Sequence, residues 1–436
     1  MSDIGIVMFV AVLALIALRL PVGIAMLLVG GLGYAAISGW TPLLATLRSI
    51  TFSKFSSYTL SVIPLFLLMG DFATRGGLNR ALFAAARAWL GHRRGGLALA
   101  TIGGCAAFGA ICGSSLATAA TMSQVAAPEM RRHGYSPALA TGTLAAGGTL
   151  GILIPPSVIL VIYAIYTEQS IGILFVAAVI PGLIAVLGYM AVVAIYARLA
   201  PAAAPAAPRI PWRRRWRPTA EVWPVLLVFG LVISGIYAGW FSATEGAAVG
   251  ALATGAIAVT LGGMRWRGLR ESLLSTAETT GLIFIVLLGA ELFGAALALS
   301  RLPAEISAGI AALDVPPLAV LAIILLIYFI LGCFMESMAM VLLTLPIFVP
   351  LMLALDFGLT PAQVMVWFGI LVLVSVEVGM ISPPFGLNLF VINGMAKDVP
   401  MAQTYRGVAG FVAADLLRIA ILVAAPALSL WLPGLW

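Results

Sequence analysis

Apolar residues occur along this chain in long runs that short polar segments separate. A helix of about 20 apolar residues is long enough to cross the hydrocarbon core of a bilayer. Each half of the chain contains five runs near or above this length. The predicted spans lie near residues 4–18, 21–38, 58–74, 138–166, 171–198, 222–239, 245–262, 278–299, 362–394 and 407–432. The pattern predicts an all-α polytopic membrane protein with about ten transmembrane helices.

Two further apolar segments, 96–128 and 316–354, are predicted to be re-entrant hairpins. The first contains the stretch "GAICGSSLATAAT", in which Gly113 can form a turn and Ser114 can cap the following helix. A hairpin tip inside the membrane requires such a turn. Small hydroxyl residues also allow close helix packing, which is the alternative explanation for this composition.

Two of the predicted spans, 138–166 and 362–394, contain two consecutive prolines near their centre or towards their end. Proline has no N–H and clashes with the carbonyl four residues earlier, so it breaks the helix there. The carbonyl oxygens expected to be freed in this way are those of Gly151, Ile152, Gly379 and Met380. Irregular backbone at membrane depth persists only against protein or a polar cavity. A proline kink that serves packing alone is the alternative.

The two halves of the chain share motifs in the same order. "SLA" at Ser115 and "SMA" at Ser337 lie 222 residues apart, and "GILIPP" and "GMISPP" lie 228 apart. We therefore predict a first repeat at 1–199, a linker at 200–220 and a second repeat at 221–436. Because each repeat holds an odd number of spans, the second is expected to be inverted. A shared bias toward Gly, Ala and Pro is the competing explanation.

The basic residues support this arrangement. With the arginine-rich linker placed in the cytoplasm, 19 of the 23 Lys and Arg residues fall on the cytoplasmic side and only three outside. The chain is 62% hydrophobic and 9% charged, far from the roughly one quarter charged residues of a soluble domain. The net charge of +7 is therefore attributed to membrane topology and not to nucleic-acid binding.

Paired broken helices in inverted repeats are typical of the binding site of a secondary transporter. Unwound carbonyl groups suit a small hard cation such as Na⁺. The half-helices that begin near Ser157 and Phe385 would direct N–H groups toward an anion. An enzyme is not expected, because the only histidines, His92 and His133, lie in loops.

Charged residues inside predicted spans are candidates for a function or for internal pairing. Asp415 and Arg418 are three residues apart on one helix and are expected to neutralise each other. Glu245 is expected to cap its helix, and Glu291 has no evident partner. Glu336 at the second tip and Glu377 near the second break are candidates for supporting an ion site or carrying a proton, with a structural role as the alternative.

Six motifs resemble one known family. They are "GAICGSSLATAATM", "GILIPPS", "FSATEGAA", "GCFMESMAM", "LPIFVPL" and "GMISPPFGLNLFV", and they look like the large membrane subunit of tripartite ATP-independent periplasmic (TRAP) transporters, DctM-like. The resemblance implies an elevator-type fold and Na⁺-coupled uptake (symport) of an organic acid across the bacterial inner membrane. It also implies two partners, a small four-helix membrane subunit and a periplasmic substrate-binding protein.

The resemblance also implies site residues. The first Na⁺ site would use Cys112, Ser115, Gly151, Ile154 and Pro156, and the second would use Gly332, Gly379, Ser382 and Phe385. The substrate would lie near Ser114, Thr118 and Asn388. Cys112 stands where the family often has serine, and "SPPFG" stands where it often has "TPPVG". A stand-alone ion-coupled anion carrier of a related inverted-repeat fold is the alternative function, and a channel is a further one.

Overall fold

The computed structural model describes residues 2–313 and 315–435. These residues form α-helices joined by short turns, and they include no β-strand. The helices of the first half are α1 (Ser2–Ala17), α2 (Val22–Ser38), α3 (Trp40–Phe55), α4 (Val62–Arg75), α5 (Leu78–Leu90), α6 (Gly96–Cys112), α7 (Ser115–Arg132), α8 (Pro137–Leu153), α9 (Val158–Tyr166) and α10 (Ile171–Leu199).

The linker contributes α11 (Trp212–Ala220), and ten more helices follow it. They are α12 (Trp223–Tyr237), α13 (Ala243–Thr260), α14 (Trp266–Ser300), α15 (Leu302–Ala312), α16 (Pro317–Gly332), α17 (Ser337–Ala354), α18 (Pro361–Met380), α19 (Leu387–Met395), α20 (Met401–Ala424) and α21 (Ala427–Leu430). The all-α prediction is confirmed.

Six helices in the described part of the chain are long and apolar enough to cross a membrane, or up to nine if each bent helix pair is one span. Shorter apolar helices, among them α2, α6 and α16, accompany them. The helix pairs α6–α7 and α16–α17 occupy the two segments predicted to be hairpins, and helix breaks lie at both predicted positions, between α8 and α9 and between α18 and α19. The peptide bond between the two prolines is cis in each break.

Four helices were not predicted, namely α3, α5, α11 and α15. Helices α3, α5 and α11 carry polar or basic residues along their length, so their hydropathy does not stand out. Two predicted boundaries also differ. The span placed at 278–299 is the later part of α14, which begins at Trp266, and the last predicted span ends earlier because α20 stops at Ala424 before Pro426.

Two sets of helices, which contact each other through α4 with α6 and α14 with α17, position the site. In the scaffold group, α2 lies along α14 and α13 lies along α4, with α1 against α2 and α12 against α13. Gly30 allows the α2 backbone to approach α14 closely, since a Cβ there would lie 2.8 Å from the backbone of Phe293. In the hairpin group, α8 contacts α6, α7 and α20, while α18 contacts α16, α17 and α10.

Candidate functional site

The first hairpin tip is a two-residue turn. Helix α6 ends at Cys112, Gly113 adopts a left-handed conformation with φ of 65°, and Ser114 caps α7. The Ser114 hydroxyl accepts a hydrogen bond from the N–H of Ala117 at 3.4 Å. The turn and cap expected from the sequence are therefore confirmed.

The first break follows the last turn of α8. Ile154 leaves the helical region with ψ of 121°, and Ser157 caps α9 by accepting a hydrogen bond from the N–H of Leu160 at 3.3 Å. Pro155 and Pro156 between them are buried. The break therefore lies inside the protein, where irregular backbone needs polar neighbours.

The first tip packs directly on the first break. A Cβ at Gly151 would lie 2.5 Å from Thr118 Oγ1 and 2.7 Å from the Ser114 carbonyl oxygen, so only glycine permits this approach. A Cβ at Gly113 would lie 3.0 Å from the Pro156 carbonyl oxygen. Thr118 Oγ1 is buried; in the described part of the chain it makes no hydrogen bond to a nitrogen or oxygen atom, and the Cys112 thiol lies beside it. Several oxygen atoms thus gather where the first cation site was predicted.

The second hairpin tip is longer and carries an acid. Helix α16 ends at Gly332, and Glu336 caps α17 after a turn. The Glu336 carboxylate accepts hydrogen bonds from the N–H groups of Met338 and Ala339, both at 3.2 Å. Its negative charge therefore lies at the positive end of the α17 dipole.

The second break is more exposed than the first, and its serine and the Gly379 carbonyl are hydrogen-bonded within the chain. The N–H of Ser382 donates to the Gly379 carbonyl at 3.1 Å, and Ser382 Oγ donates to the Val378 carbonyl at 2.6 Å. The prediction that the Gly379 carbonyl is left without a donor is wrong, because the chain tightens into a turn before the prolines. Gly386 donates to the Cys333 carbonyl at 3.1 Å, which joins this break to the second tip.

The remaining residues predicted for the second cation site lie at this junction. A Cβ at Gly332 would lie 3.0 Å from the Gly379 Cα, so α16 and α18 meet there. The Phe385 side chain is 47% exposed and lies beside the rings of Phe334 and Phe390. The Phe385 side chain therefore faces the surface.

A cavity of about 420 Å³ lies between the two tips and α14. Ser114 and Ser115 line it from the first tip, Glu336 and Ser337 from the second, and Thr279 from α14. It is the best candidate for the substrate site, since polar groups from both tips converge on an otherwise apolar enclosure.

Of the three residues predicted near the substrate, only Ser114 lines this cavity. Thr118 is buried against Gly151, and Asn388 is buried and donates through Nδ2 to the Ala145 carbonyl at 3.1 Å. Asn388 therefore connects α19 to α8 in this conformation.

A second cavity of about 340 Å³ adjoins the first and shares Ser114 and Thr279 with it. It is lined by Cys112 and Thr121 of the first hairpin, by Asp71 and Thr74 of α4, and by Ser275 and Thr276 of α14. Its far end reaches Asp71, which pairs with Arg75 at 2.9 Å. The second cavity thus runs from the first tip to Asp71, near the end of the predicted span 58–74, which Arg75 in a predicted cytoplasmic loop follows.

A buried charge cluster connects the elements that precede the two breaks. Arg418 Nη2 lies 2.8 Å from Glu377 Oε2 and 3.0 Å from Asp415 Oδ1. Tyr189 donates to Asp415 at 2.7 Å and lies 3.1 Å from Thr149 Oγ1 on α8. The expected Asp415–Arg418 pair is present, and Arg418 also pairs with Glu377, which the sequence placed near an ion site.

The structure shows the partners of two other acidic residues, Glu291 and Glu245. Glu291 lies 3.1 Å from Lys54, so the expectation that it has no partner is wrong, because α3 brings Lys54 to α14. Glu245 forms a capping box with Ser242, as its position before α13 suggested.

Sequence reasoning missed several contacts that join the halves. Ser115 Oγ and Ser337 Oγ lie 3.5 Å and 3.1 Å from Met380 Sδ, so the two tips meet at one thioether. The wall supplied by α14 was also missed. Sequence separation hides these contacts, although the matching serines in "SLA" and "SMA" were a usable signal.

The family model of the tripartite ATP-independent periplasmic transporter, DctM component, matches residues 9–428. The chain is 38% identical over 395 residues to the C4-dicarboxylate TRAP transporter large permease protein DctM of Pseudomonas aeruginosa, covering 89% of this chain and 90% of that one. It is 30% identical to the ectoine TRAP transporter large permease protein TeaC of Halomonas elongata, covering 98% and 99%.

A sialic acid TRAP transporter large permease protein, SiaM of Vibrio cholerae, is 31% identical and covers 87% of each chain. The fold is similar to that of the Alcanivorax borkumensis YdaH transporter, with a TM-score of 0.64, 16% identity, and coverage of 91% of this chain and 90% of that one. The chain therefore belongs to the DctM family of large TRAP permease components, and it is a multi-pass membrane transport subunit and not an enzyme.

Proposed function

We propose that this subunit couples Na⁺ entry to uptake of an organic acid across the bacterial inner membrane. Its partners would be a small four-helix membrane subunit and a periplasmic substrate-binding protein. Family membership supports transport with such partners, and relatives are named for C4-dicarboxylate, ectoine and sialic acid.

The observation that carries the Na⁺ proposal is the first tip packed on the first break. The Ser114 carbonyl and Thr118 Oγ1 face Gly151. The carbonyl accepts one hydrogen bond, from the N–H of Thr118 at 3.1 Å, and the threonine oxygen has only the Cys112 thiol as a polar side-chain neighbour among the described residues. Oxygen atoms from unwound backbone and hydroxyl groups suit Na⁺. The predicted ligands Cys112, Ile154 and Pro156 lie in the same tip and break.

The charges around the cavities explain why binding of an anionic substrate would depend on bound Na⁺. Their lining includes the acids Asp71 and Glu336 and no lysine or arginine. A carboxylate substrate would therefore find positive charge only in bound Na⁺ and in helix N-termini. At the second tip the helix N-terminus already holds Glu336, so the anion should favour the first tip.

The packing supports an elevator arrangement of two inverted repeats. The pairs α2–α14 and α4–α13 are equivalent by position in the two halves, and they form the scaffold group. The hairpin group would move against it as one body. Because the second cavity leads toward Asp71 and Arg75, we assign the conformation as inward-facing.

The decisive experiment uses proteoliposomes that contain this subunit with its small partner. We expect uptake of the binding protein's ligand only when the binding protein is outside and an inward Na⁺ gradient is present. Equal uptake with K⁺ in place of Na⁺ would contradict the coupling. Robust uptake by this subunit alone would instead support the stand-alone carrier.

A measurement that needs no substrate complements this test. A ligand that binds only the folded state raises its stability by mass action. NaCl should therefore raise the unfolding temperature of the purified subunit more than choline chloride at equal ionic strength. The same shift with both salts would remove the support for a Na⁺ site.

A further inference from the structure

The linker between the two halves is held in place by backbone hydrogen bonds to the first half. The Ala204 carbonyl accepts a hydrogen bond from Gly95 at 3.0 Å, and Ala207 donates to the Gly91 carbonyl at 3.0 Å. Ser136, before α8, donates to the Ala203 carbonyl at 2.9 Å. The linker is thereby fixed to the turn that precedes the first hairpin and to the turn that follows it.

Helix α11 is held on α5 by an arginine among tryptophans. The Arg215 guanidinium lies 5.8 Å from the ring centroids of Trp89 and Trp212 and donates through Nε to the Ile210 carbonyl at 2.9 Å. Trp89 donates to Thr219 Oγ1 at 2.8 Å. Since Arg215 is only 5% exposed, its charge serves this packing and not the surface.

The outer side of α11 has the composition of a membrane interface. The side chains of Trp212 and Trp216 are 59% and 52% exposed. Helix α11 is bent by 50° from α12, so it does not continue that span. Exposed tryptophans are enriched where the bilayer meets water.

Six exposed arginines lie on α11, on the linker before it and on the turn to which the linker is hydrogen-bonded, and we call them the linker patch: Arg93, Arg94, Arg209, Arg213, Arg214 and Arg217. In the described part of the chain only Arg217 has a carboxylate nearby, that of Glu221 at 3.9 Å. Burial and the positive charges of Arg215, Arg209 and Arg93 lower the pKa of His92, in agreement with the hydrogen bonds that join the linker to the turn at Gly91 and Gly95. The patch therefore carries a strong uncompensated positive charge.

We propose that the linker patch binds the phosphate headgroup of an anionic phospholipid in the cytoplasmic leaflet. The arginines would contact the phosphate, and Trp212 and Trp216 would lie against the glycerol and upper acyl region. Placement of the linker at the cytoplasmic surface follows from the distribution of basic residues. Because α5 packs on α6 and α7, the bound lipid would anchor the root of the first hairpin.

The competing explanation is that the arginines only set the orientation of the chain. Native mass spectrometry of the full chain, titrated with phosphatidylglycerol or phosphatidylcholine, separates the two. We expect preferential binding of phosphatidylglycerol. The variant R213Q/R214Q/R217Q should lose about a hundredfold in affinity, since each basic residue near an anionic surface contributes about fivefold.

The matched control is R198Q/R265Q/R270Q, which removes three exposed arginines from other predicted cytoplasmic positions. It should bind phosphatidylglycerol like the unmodified protein. The proposal is overturned if the unmodified protein shows no lipid preference, if both variants lose the same affinity, or if soluble glycerol 3-phosphate displaces the lipid at equal concentration. Should the triple variant fold poorly, R213Q/R214Q is expected to lose about 25-fold, and unchanged binding by it also overturns the proposal.

Discussion

The two tip–break regions contain the same parts but use their polar atoms differently. At the first, the prolines are buried, and Thr118 Oγ1 faces Gly151 with only the Cys112 thiol as a polar side-chain neighbour among the described residues. At the second, the prolines are exposed, and Ser382 already donates to the Gly379 carbonyl. In the described part of the chain, the two regions therefore leave different side-chain oxygens without a nitrogen or oxygen partner: Thr118 Oγ1 at the first, and Asn388 Oδ1 just after the second break.

The residues that cap the helices after the two tips also differ, in their charge. Ser114 caps α7 with a neutral hydroxyl, whereas Glu336 caps α17 with a carboxylate. A helix N-terminus favours an anion, and Glu336 already supplies one at the second tip. The comparison suggests that substrate binding depends mainly on the first tip.

The largest effect should come from Arg418→Met, because the buried cluster serves both regions. The change leaves Glu377 and Asp415, which are 0% and 1% exposed, without their cation. Breaking a buried ion pair costs about 3–5 kcal/mol of folding free energy, so unfolding temperature and yield should fall sharply.

The matched control for this change is Arg198→Met, an exposed arginine on α10, which should be neutral. Adding Glu377→Gln and Asp415→Asn to Arg418→Met should restore part of the stability, since the buried charge is then removed. An unchanged unfolding temperature for the single variant would show that the cluster does not hold the regions together.

The next largest effects should come from Gly379→Ala and Gly151→Ala, which are expected to lower stability to different extents in the two regions. A Cβ at Gly379 would lie 2.6 Å from the Gly332 Cα, whereas one at Gly151 would displace Thr118 Oγ1 and Ser114. Overpacking costs about 1–3 kcal/mol, and we expect the larger stability loss at Gly379, where the neighbours are all backbone.

Gly151→Ala should instead weaken the Na⁺ dependence of uptake more than it lowers expression. Gly188→Ala on α10 is the control, because no atom lies within 4 Å of a Cβ there. Equal losses of expression and Na⁺ dependence at Gly151 would argue that the glycine serves packing alone.

A smaller difference is expected between Thr118→Val and Ser382→Ala. Thr118→Val removes a hydroxyl whose polar side-chain neighbour in the described part of the chain is the weakly bonding Cys112 thiol, so stability should change little while apparent Na⁺ affinity falls by about tenfold. Ser382→Ala removes a hydrogen bond to the Val378 carbonyl and should cost about 1 kcal/mol of stability. For each variant, thermal unfolding measures the change in stability, and the Na⁺ dependence of uptake measures the change in apparent Na⁺ affinity. The reverse pattern would place the stronger cation site at the second break.

Glu336→Gln should have the smallest effect. Its amide oxygen can still accept from Met338 and Ala339, but the negative charge at the second tip is gone. The KM for an anionic substrate should fall by about two- to fivefold, as expected for one charge at a helix N-terminus. A raised KM would instead indicate that Glu336 supports a bound cation.

The sequence alone determined the features that follow from local chemistry. The double prolines set both breaks, because proline lacks an N–H wherever it stands. Gly113 and Ser114 set the first tip, and Ser242 with Glu245 set the start of α13. The apolar runs gave the all-α membrane fold for the same reason, since only length and hydropathy are needed.

Only the tertiary structure decided which distant groups meet. Arg418 reaches Glu377 across 41 residues, Asn388 reaches Ala145 across 243, and Lys54 reaches Glu291 through an unpredicted helix. The two breaks differ for the same reason. Their sequences are alike, but the residues between α8 and α9 are enclosed by neighbouring helices, while Pro383, Pro384 and Phe385 before α19 remain at the surface. Whether an oxygen is left for an ion depends on those neighbours, because a buried polar group binds whichever partner the packing brings to it.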